Sequence, residues 1–343
     1  MFRDPAFDAH EQVVFVSDRA SGLRAIIAIH STLLGPAFGG CRMRAYATEA
    51  EAQTDALRLS RGMTFKAAIC GLPYGGGKTV IIGDPIRDKS RELLRALASA
   101  IDGLRGRYIV AEDLGTTLAD LAVMREVTEH TAAASASAQQ PLAVTAFGVL
   151  MAMKAAAGRV FGTTDLQGLR VVVQGLGNVG LPLCRYLHEE GAALVVSDVD
   201  PARVARAGRL FGVRGVAPRA IYGEPADVFA PCALGGVLND DSIPLLRVRI
   251  VCGGANNQLE RARHDEALAA RGILYVPDYL ANAAGVIDFH QERIDDRPRA
   301  VLQAVRRIHE IAADVLERAA IHGLTPLQVA DRMVASRLAA AAA

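Results

Sequence analysis

Only four lysines, Lys66, Lys78, Lys89 and Lys154, occur in the 343-residue chain; every other basic residue is arginine. The two side chains are not interchangeable. A desolvated amine can give up its proton near neutrality, whereas a guanidinium stays charged. Lys78 is the sharpest case. It follows three glycines in Gly71–Asp84, GLPYGGGKTVIIGD, which reads as a glycine-rich turn leading into a β-branched run. A lysine packed into such a turn is suited to act as a base. The competing reading is a phosphate-binding loop of the form GxxxxGK[ST]. Gly77, Lys78 and Thr79 match its end, but Leu72 stands where its first glycine belongs. The lysine of such a loop also opens a helix, and Thr79 to Ile82 reads as a strand. ATP or GTP turnover is therefore disfavoured. The bland alternative is a surface lysine beside a tight turn.

A second constellation is Gly175-Leu176-Gly177-Asn178-Val179-Gly180. A lone GxGxxG is weak, but this one has context: it follows the buried-type strand LRVVVQ and precedes the helix LPLCRYLHEEG. Gly175 allows the tight turn, Gly177 lets backbone approach a pyrophosphate, and Gly180 lets helix pack close on strand. The helix N-terminus then offers free N–H groups to phosphate. The next strand, LVVSD, ends on Asp198, placed to accept hydrogen bonds from a ribose diol. Its charge would repel a 2′-phosphate, and Val199 and Asp200 bring no arginine, so NAD is expected rather than NADP. The alternative is a doubly wound domain whose glycine turn binds no nucleotide.

The elements that must position these residues change grammar along the chain. Strands are expected over Val13–Val16 and Leu23–His30, a helix over Glu49–Met63, a helix over Arg91–Leu104 and a short strand over Arg107–Val110, followed by a loop to Thr117. Residues 128–142, TEHTAAASASAQQPL, are the best linker candidate. After it, helix (Thr145–Ala157), strand (Leu169–Gln174), helix (Leu181–Glu190), strand (Leu194–Asp198) and helix (Pro201–Leu210) alternate. That is the pattern of a parallel sheet covered on both faces. Later strands are expected at Val228–Ala230, Ile250–Cys252 and Ile273–Val276, and helices from Pro298 onward.

Composition narrows the function classes. The formal net charge is +1, which gives no field for nucleic acid or an anionic membrane. No secretory signal is apparent, and the most apolar stretch, Ala143 to Gly158, is interrupted by Lys154. The five cysteines are odd in number and form no CxxC pair, so neither a disulfide framework nor a metal site is expected. A cytoplasmic location follows.

Several segments together resemble one family, the NAD-dependent amino-acid dehydrogenases of the leucine, valine and phenylalanine type, distant relatives of glutamate dehydrogenase. They are AIIAIHSTLLGPAFGGCRMR, ALRLSRGMTFKAAICGLPYGGGKTVIIGDP, GRYIVAEDLGTT, VVVQGLGNVG with VVSD, AIYGEPADVFAPCALGG, and CGGANNQL followed by PDYLANAAGVI. They stand in family order from about residue 12 to about residue 335. The resemblance implies an α/β fold of two domains: a substrate-binding and oligomerisation domain (1–140), a Rossmann-type NAD-binding domain (141–285), and C-terminal helices (286–343) packing back on the first. A cleft between the domains would close around substrate.

The resemblance also implies roles. Lys66 pairs with the substrate α-carboxylate, helped by main-chain groups near Gly39 and Gly40. Lys78 is the acid/base, and Asp113 is the second proton carrier, acting at the amine. Sequence physics alone leaves Asp113 and its neighbour Glu112 even. Asn256 contacts the nicotinamide carboxamide or the substrate amine, less securely distinguished from Asn257, and Thr145 lies near the nicotinamide. Oxidative deamination requires hydride removal, water attack on an iminium and loss of ammonia, and so needs two proton carriers with different tasks.

Three features depart from the family pattern. The interdomain segment is TAAASASAQQP rather than glycine-rich. Ala284 and Asp288 alter the NAGGVIN-like segment, with Asp288 read as a favourable acid at a helix start. Phe38 and Phe289 join Ala111 and Val286 at the side-chain pocket, where two phenyl rings pointing inward would remove volume. The expected reaction is conversion of a small aliphatic L-amino acid to its 2-oxo acid, ammonia and NADH, and the reverse, by a homo-oligomer. The alternatives are an aromatic-type dehydrogenase of phenylalanine or tryptophan, and a catalytically silent relative that binds NAD or an amino acid. Lys89 and Lys154 carry no chemical argument and are expected to tolerate arginine.

Overall fold

The computed structural model describes residues 1–132, 141–294 and 298–343. Its contacts divide the chain into two units, Met1–Ala134 with Val334–Ala343, and Ser135–Met333.

The first unit is built on a five-stranded mixed sheet. Its strands are β1 (Gln12–Asp18), β2 (Leu23–Ser31), β3 (Ala37–Arg44), β4 (Gly75–Ile82) and β5 (Tyr108–Glu112), in the order β1-β2-β4-β3-β5. β3, β4 and β5 run parallel to one another, while β2 is antiparallel to both β1 and β4. Three helices accompany it: α1 (Glu49–Ile69), α2 (Arg91–Asp102) and α3 (Leu118–Arg125). One face of the sheet, with Ile27, Ile29, Cys41, Met43, Ile81, Tyr108 and Val110, packs on Leu93, Leu94, Leu97 and Ile101 of α2. The other, with Ile26, Ala28 and Val80, meets Ala52, Ala56 and Leu57 of α1.

Helix α1 begins where its capping chemistry places it. Thr48 accepts from the Glu51 N–H, and Glu49 and Glu51 lie in the first turn. It runs two turns past the expected end at Met63, so Lys66 lies in its last turn. The strand β3 was not anticipated, because Gly39 and Gly40 depress strand propensity in its middle.

The segment expected as a glycine turn is a correction: Gly75, Gly76, Gly77 and Lys78 all lie within β4. The glycines are there for close packing. A Cβ at Gly76 would lie 2.1 Å from the Thr64 backbone nitrogen and 2.4 Å from the Ser60 carbonyl oxygen of α1. A helix pressed directly onto the strand leaves no room for side chains at Gly76, and Lys78 follows on the same face, between that contact and the packing of Val80 on α1.

The second unit holds β6 (Arg170–Gln174), β7 (Ala193–Ser197), β8 (Arg214–Gly215), β9 (Val228–Pro231), β10 (Ile250–Val251) and β11 (Leu274–Tyr275) in one parallel sheet, ordered β11-β10-β9-β6-β7-β8. This is the doubly wound dinucleotide-binding order, whose switch point lies between β6 and β9. Its helices are α4 (Pro141–Phe161), α5 (Gly180–Glu189), α6 (Pro201–Phe211), α7 (Arg263–Ala270), α8 (Asp278–Ala281), α9 (Ala284–Ile294), α10 (Pro298–His322) and the start of α11 (Pro326–Ala342), whose residues from Val334 onward belong to the first unit. Among the described residues, α4 contains the one stretch, Val144–Phe161, long and apolar enough to cross a membrane; it is largely buried inside the protein, as a core helix is.

Residues 286–333 belong to the second unit, and only Val334–Ala343 returns to the first. Asp288, read as an acid at a helix start, is the fifth residue of α9 and buried. Of the expected linker, residues 133–140 lie outside the described residues; before them, Thr131 bridges Val110 of β5.

Candidate active site

In the first unit, side-chain alternation places Phe38, Gly40 and Arg42 of β3, Gly76, Lys78 and Val80 of β4, and Ala111 of β5 on the face that α1 partly covers. Lys78 is 5% exposed, and its Nζ donates to Asp113 Oδ2, just beyond the end of β5. Gly40 floors this pair: a Cβ there would lie 2.7 Å from Asp113 Cβ and 3.2 Å from Lys78 Nζ.

Burial, the largest influence on Lys78, lowers its pKa; the Asp113 carboxylate pulls the other way, and the Arg42 cation adds to the lowering. The net direction is down, so an amine without its proton is accessible. For Asp113, burial alone would raise the pKa. The charges of Lys78 and Arg42 outweigh it and hold the carboxyl well below the usual range. Glu112 goes the other way: burial raises it. Of the two neighbouring acids, Asp113 is the one that meets the lysine. Asp113 is not a helix cap either, because Thr117 caps α3 in a capping box with Asp120.

Lys66 is half-buried in the last turn of α1. Met63, one turn before it, reaches within 3.4 Å of where a Gly39 Cβ would stand. The same helix face therefore approaches β3 at Gly39. Phe38 is buried, its ring centroid 6.1 Å from that of Tyr74.

The loop bearing Asp113 is tied down by Lys89. Lys89 Nζ donates to the Gly115 carbonyl at 3.0 Å and to Asp120 at 2.8 Å. Lys154 donates to Glu190 at 2.5 Å, linking α4 to the end of α5. Neither lysine is an idle surface charge.

Sequence reasoning missed Arg42. Its Nε donates to Asp113 Oδ2 at 3.1 Å, and its Nη1 donates to Asp55 Oδ2 of α1 at 2.9 Å. The available signal was an acid, Asp55, inside the apolar stripe of Ala52, Ala56 and Leu59.

In the second unit, Gly175 has φ +92°, the left-handed region that favours glycine, and a Cβ there would collide with Ala233, just past β9. A Cβ at Gly180 would sit 1.8 Å from the Gly175 carbonyl oxygen, so helix packs directly on loop. Gly177 is different: a Cβ there would meet nothing nearer than Arg203 Nη1 at 3.7 Å. The loop thus presents bare backbone to open space, with Asn178 and Val179 leading into α5, whose first turn has no side-chain cap. That cradle fits a pyrophosphate.

Asp198 Oδ2 accepts from Leu176 N–H at 2.7 Å, and Oδ1 accepts from Asp200 N–H at 2.9 Å. An arginine is nearby after all. Arg203, in the first turn of α6, lies 3.8 Å from Asp198 and 3.5 Å from Asp200. The helix folds it back, which inspection of the next two residues could not reveal.

Thr145 of α4 lies 3.8 Å from where a Gly285 Cβ would be, beside the buried Val286. Asn256 accepts from Asn282 Nδ2 at 2.9 Å, whereas Asn257 adopts a left-handed backbone at φ 53°. Phe289 is buried, with the Arg293 guanidinium 5.7 Å above its ring. The structure thus gathers the expected residues into two groups. Lys66, Lys78, Asp113, Gly39, Gly40 and Ala111 belong to the first unit. The glycine loop, Asp198, Thr145, Asn256 and Val286 belong to the second. Among the described residues, no cluster of three or more metal-ligating side chains is present.

Comparison with known proteins agrees along nearly the whole chain. Residues 10–130 match the family described as Glu/Leu/Phe/Val dehydrogenase, dimerisation domain. Residues 138–209 and 212–341 match Glutamate/Leucine/Phenylalanine/Valine dehydrogenase. The chain is 48% identical to leucine dehydrogenase of Geobacillus stearothermophilus over 332 residues, 96% of this chain and 90% of that one. The crystal structure of L-tryptophan dehydrogenase from Nostoc punctiforme superposes with a TM-score of 0.81 at 42% identity, covering 97% of each chain. The hetero-hexameric glutamate dehydrogenase of Thermus thermophilus, in its Leu-bound form, gives a TM-score of 0.81 at 25% identity, covering 97% of this chain and 89% of that one. The chain belongs to the Glu/Leu/Phe/Val dehydrogenase family and is an oxidoreductase that deaminates amino acids.

Proposed function

We propose that the protein oxidatively deaminates a small aliphatic L-amino acid to its 2-oxo acid and ammonia with NAD, and that Lys78 and Asp113 carry the protons. The observation that carries this reading is the buried amine of Lys78 held on the Asp113 carboxylate over Gly40. NAD, when bound, supplies the acceptor for the hydride leaving the α-carbon. Lys78 as a neutral amine takes a proton from the water that attacks the iminium carbon. Asp113, kept anionic, accepts and returns a proton at the amino nitrogen as ammonia leaves. Lys66, with main chain at Gly39 and Gly40, grips the α-carboxylate.

The glycine loop from Gly175 to Gly180 takes the pyrophosphate, and Asp198 takes the ribose diol. Thr145 and Asn256 orient the nicotinamide side. Asn256 is favoured over Asn257 because Asn282 fixes its amide plane. The proposed contacts to the substrate side chain are Ala111 with Phe38 in the first unit and Val286 with Phe289 in the second. Substrate grip falls to the N-terminal domain (1–140) and dinucleotide binding to the next (141–285). The N-terminal unit matches a dimerisation domain, which supports a homo-oligomer. Buried free thiols at Cys41, Cys70, Cys184 and Cys252 suit a reducing, cytoplasmic setting.

NAD is favoured over NADP because Asp198 is a carboxylate. Arg203 tempers that charge, so some NADP use is expected. The test is reduced-cofactor formation at alkaline pH from L-valine, L-leucine, L-norvaline, L-phenylalanine and L-tryptophan, each with NAD and with NADP. The aliphatic substrates with NAD should be fastest. Preference for the aromatic pair would overturn the substrate class. NADP matching NAD would overturn the role of Asp198. Dinucleotide binding without any turnover would indicate a silent relative.

A further inference from the structure

We propose that Arg42, anchored by Asp55, is a positioning residue that fixes Asp113 beside Lys78 and keeps that carboxylate charged while Lys78 gives up and regains its proton. The inference deepens the acid/base reading above and rests on it.

A lone buried lysine–carboxylate pair is a poor proton carrier, because deprotonating the amine would leave an uncompensated buried anion. A second, permanent cation removes that obstacle. Arginine can supply it, since its guanidinium does not deprotonate. Arg42 is 15% exposed, and its fork divides between two carboxylates: Nε donates to Asp113 Oδ2 at 3.1 Å, and Nη1 to Asp55 Oδ2 at 2.9 Å. Two parallel constraints fix the guanidinium plane, as a single contact would not.

The anchor is itself held. Tyr46 OH donates to Asp55 Oδ2 at 2.6 Å, and the Arg44 guanidinium lies 4.5 Å above the Tyr46 ring. The result is a row of alternating charge, Lys78, Asp113, Arg42 and Asp55, running from β4 across β3 to α1. Cys41 of β3 and Glu112 at the end of β5, paired on the opposite face of the sheet, couple to the row only through charge, and burial pushes both up. Neither supplies a cation. With Arg42 in place, Asp113 keeps a partner whichever state Lys78 is in, and the like charge of Arg42 favours the neutral amine.

The test compares wild type, Arg42→Met, Arg42→Lys and Lys78→Met. In the cofactor-free protein, acetylation of Lys78 by acetic anhydride across pH, read by peptide mass spectrometry, reports the ionisation of the amine without turnover. Arg42→Met should move its midpoint upward by about one pH unit and lower kcat about 100-fold. Arg42→Lys keeps a cation but loses the fork, so a smaller upward shift is expected. Should Arg42→Met give no cooperative melt, Arg42→Lys carries the test. An unmoved Lys78 midpoint in the folded variant overturns the proposal, because a merely structural role would lower the melting temperature and leave that midpoint alone. If Lys78→Met retains wild-type turnover, the acid/base reading itself has failed. If Lys78→Met is inactive and Arg42→Met is unshifted, the role of Arg42 alone is lost.

Discussion

Lys78→Arg should lower kcat by about 1000-fold or more, while dinucleotide affinity stays within a few fold of wild type. The variant keeps the charge and removes only the ability to lose a proton at working pH. It also tests fit. The Lys78 ammonium occupies a slot between Gly40 and Asp113 in which a hypothetical Gly40 Cβ would already come within 3.2 Å of Nζ. A planar fork in that slot must either displace Asp113 or turn away. Dinucleotide binding serves as the control because the glycine loop and Asp198 belong to the other unit. Turnover within about tenfold of wild type would refute proton transfer at Lys78. Loss of both activities would point instead to a folding defect.

The second large effect concerns the glycine strand. Gly76→Ala should destabilise the protein by about 3 kcal/mol or more. The added methyl group would meet backbone atoms of α1 at Ser60 and Thr64, which cannot rotate out of the way. Relief requires α1 to lift from β4, and that movement carries Lys66 with it. The substrate KM should therefore rise in whatever fraction still folds. Denaturant melts compared with Gly62→Ala, a helical glycine with open space around its Cβ position, separate crowding from the general effect of adding a methyl group. Equal stability of Gly76→Ala and wild type would mean that the glycines of β4 are not packing requirements.

The legible and illegible parts of the sequence separate for physical reasons. The second unit followed its hydrophobic grammar: every strand of the expected parallel alternation was found within a residue or two, and the switch point fell at the glycine loop. The first unit was harder. The middle of β3 and the first half of β4 are rich in glycine, which ordinarily weakens a strand. Glycine serves there because neighbouring chain comes too close for a Cβ, a reason that lies in tertiary contact and not in the local sequence. Lys78 stood out by chemistry alone, in a chain that otherwise uses arginine. Arg42 was hidden by that same composition, being one arginine among many, and its partners Asp55 and Asp113 lie 13 and 71 positions away. The contacts of Lys89 were not legible, because its partners, the Gly115 carbonyl and Asp120, become neighbours only when the loop after β5 folds back. Arg203 was overlooked because the first turn of α6 returns it toward Asp198.

The central claim is that one buried amine works without its proton. The most direct measurement is the pH dependence of kcat/KM for oxidative deamination by the wild-type enzyme. A base that must be neutral gives a rate that falls on the acid side of its pKa. With Lys78 depressed by burial, that limb is predicted below 10.5, the ordinary lysine value. A limb at or above 10.5, or a profile with no acid limb, would contradict the account.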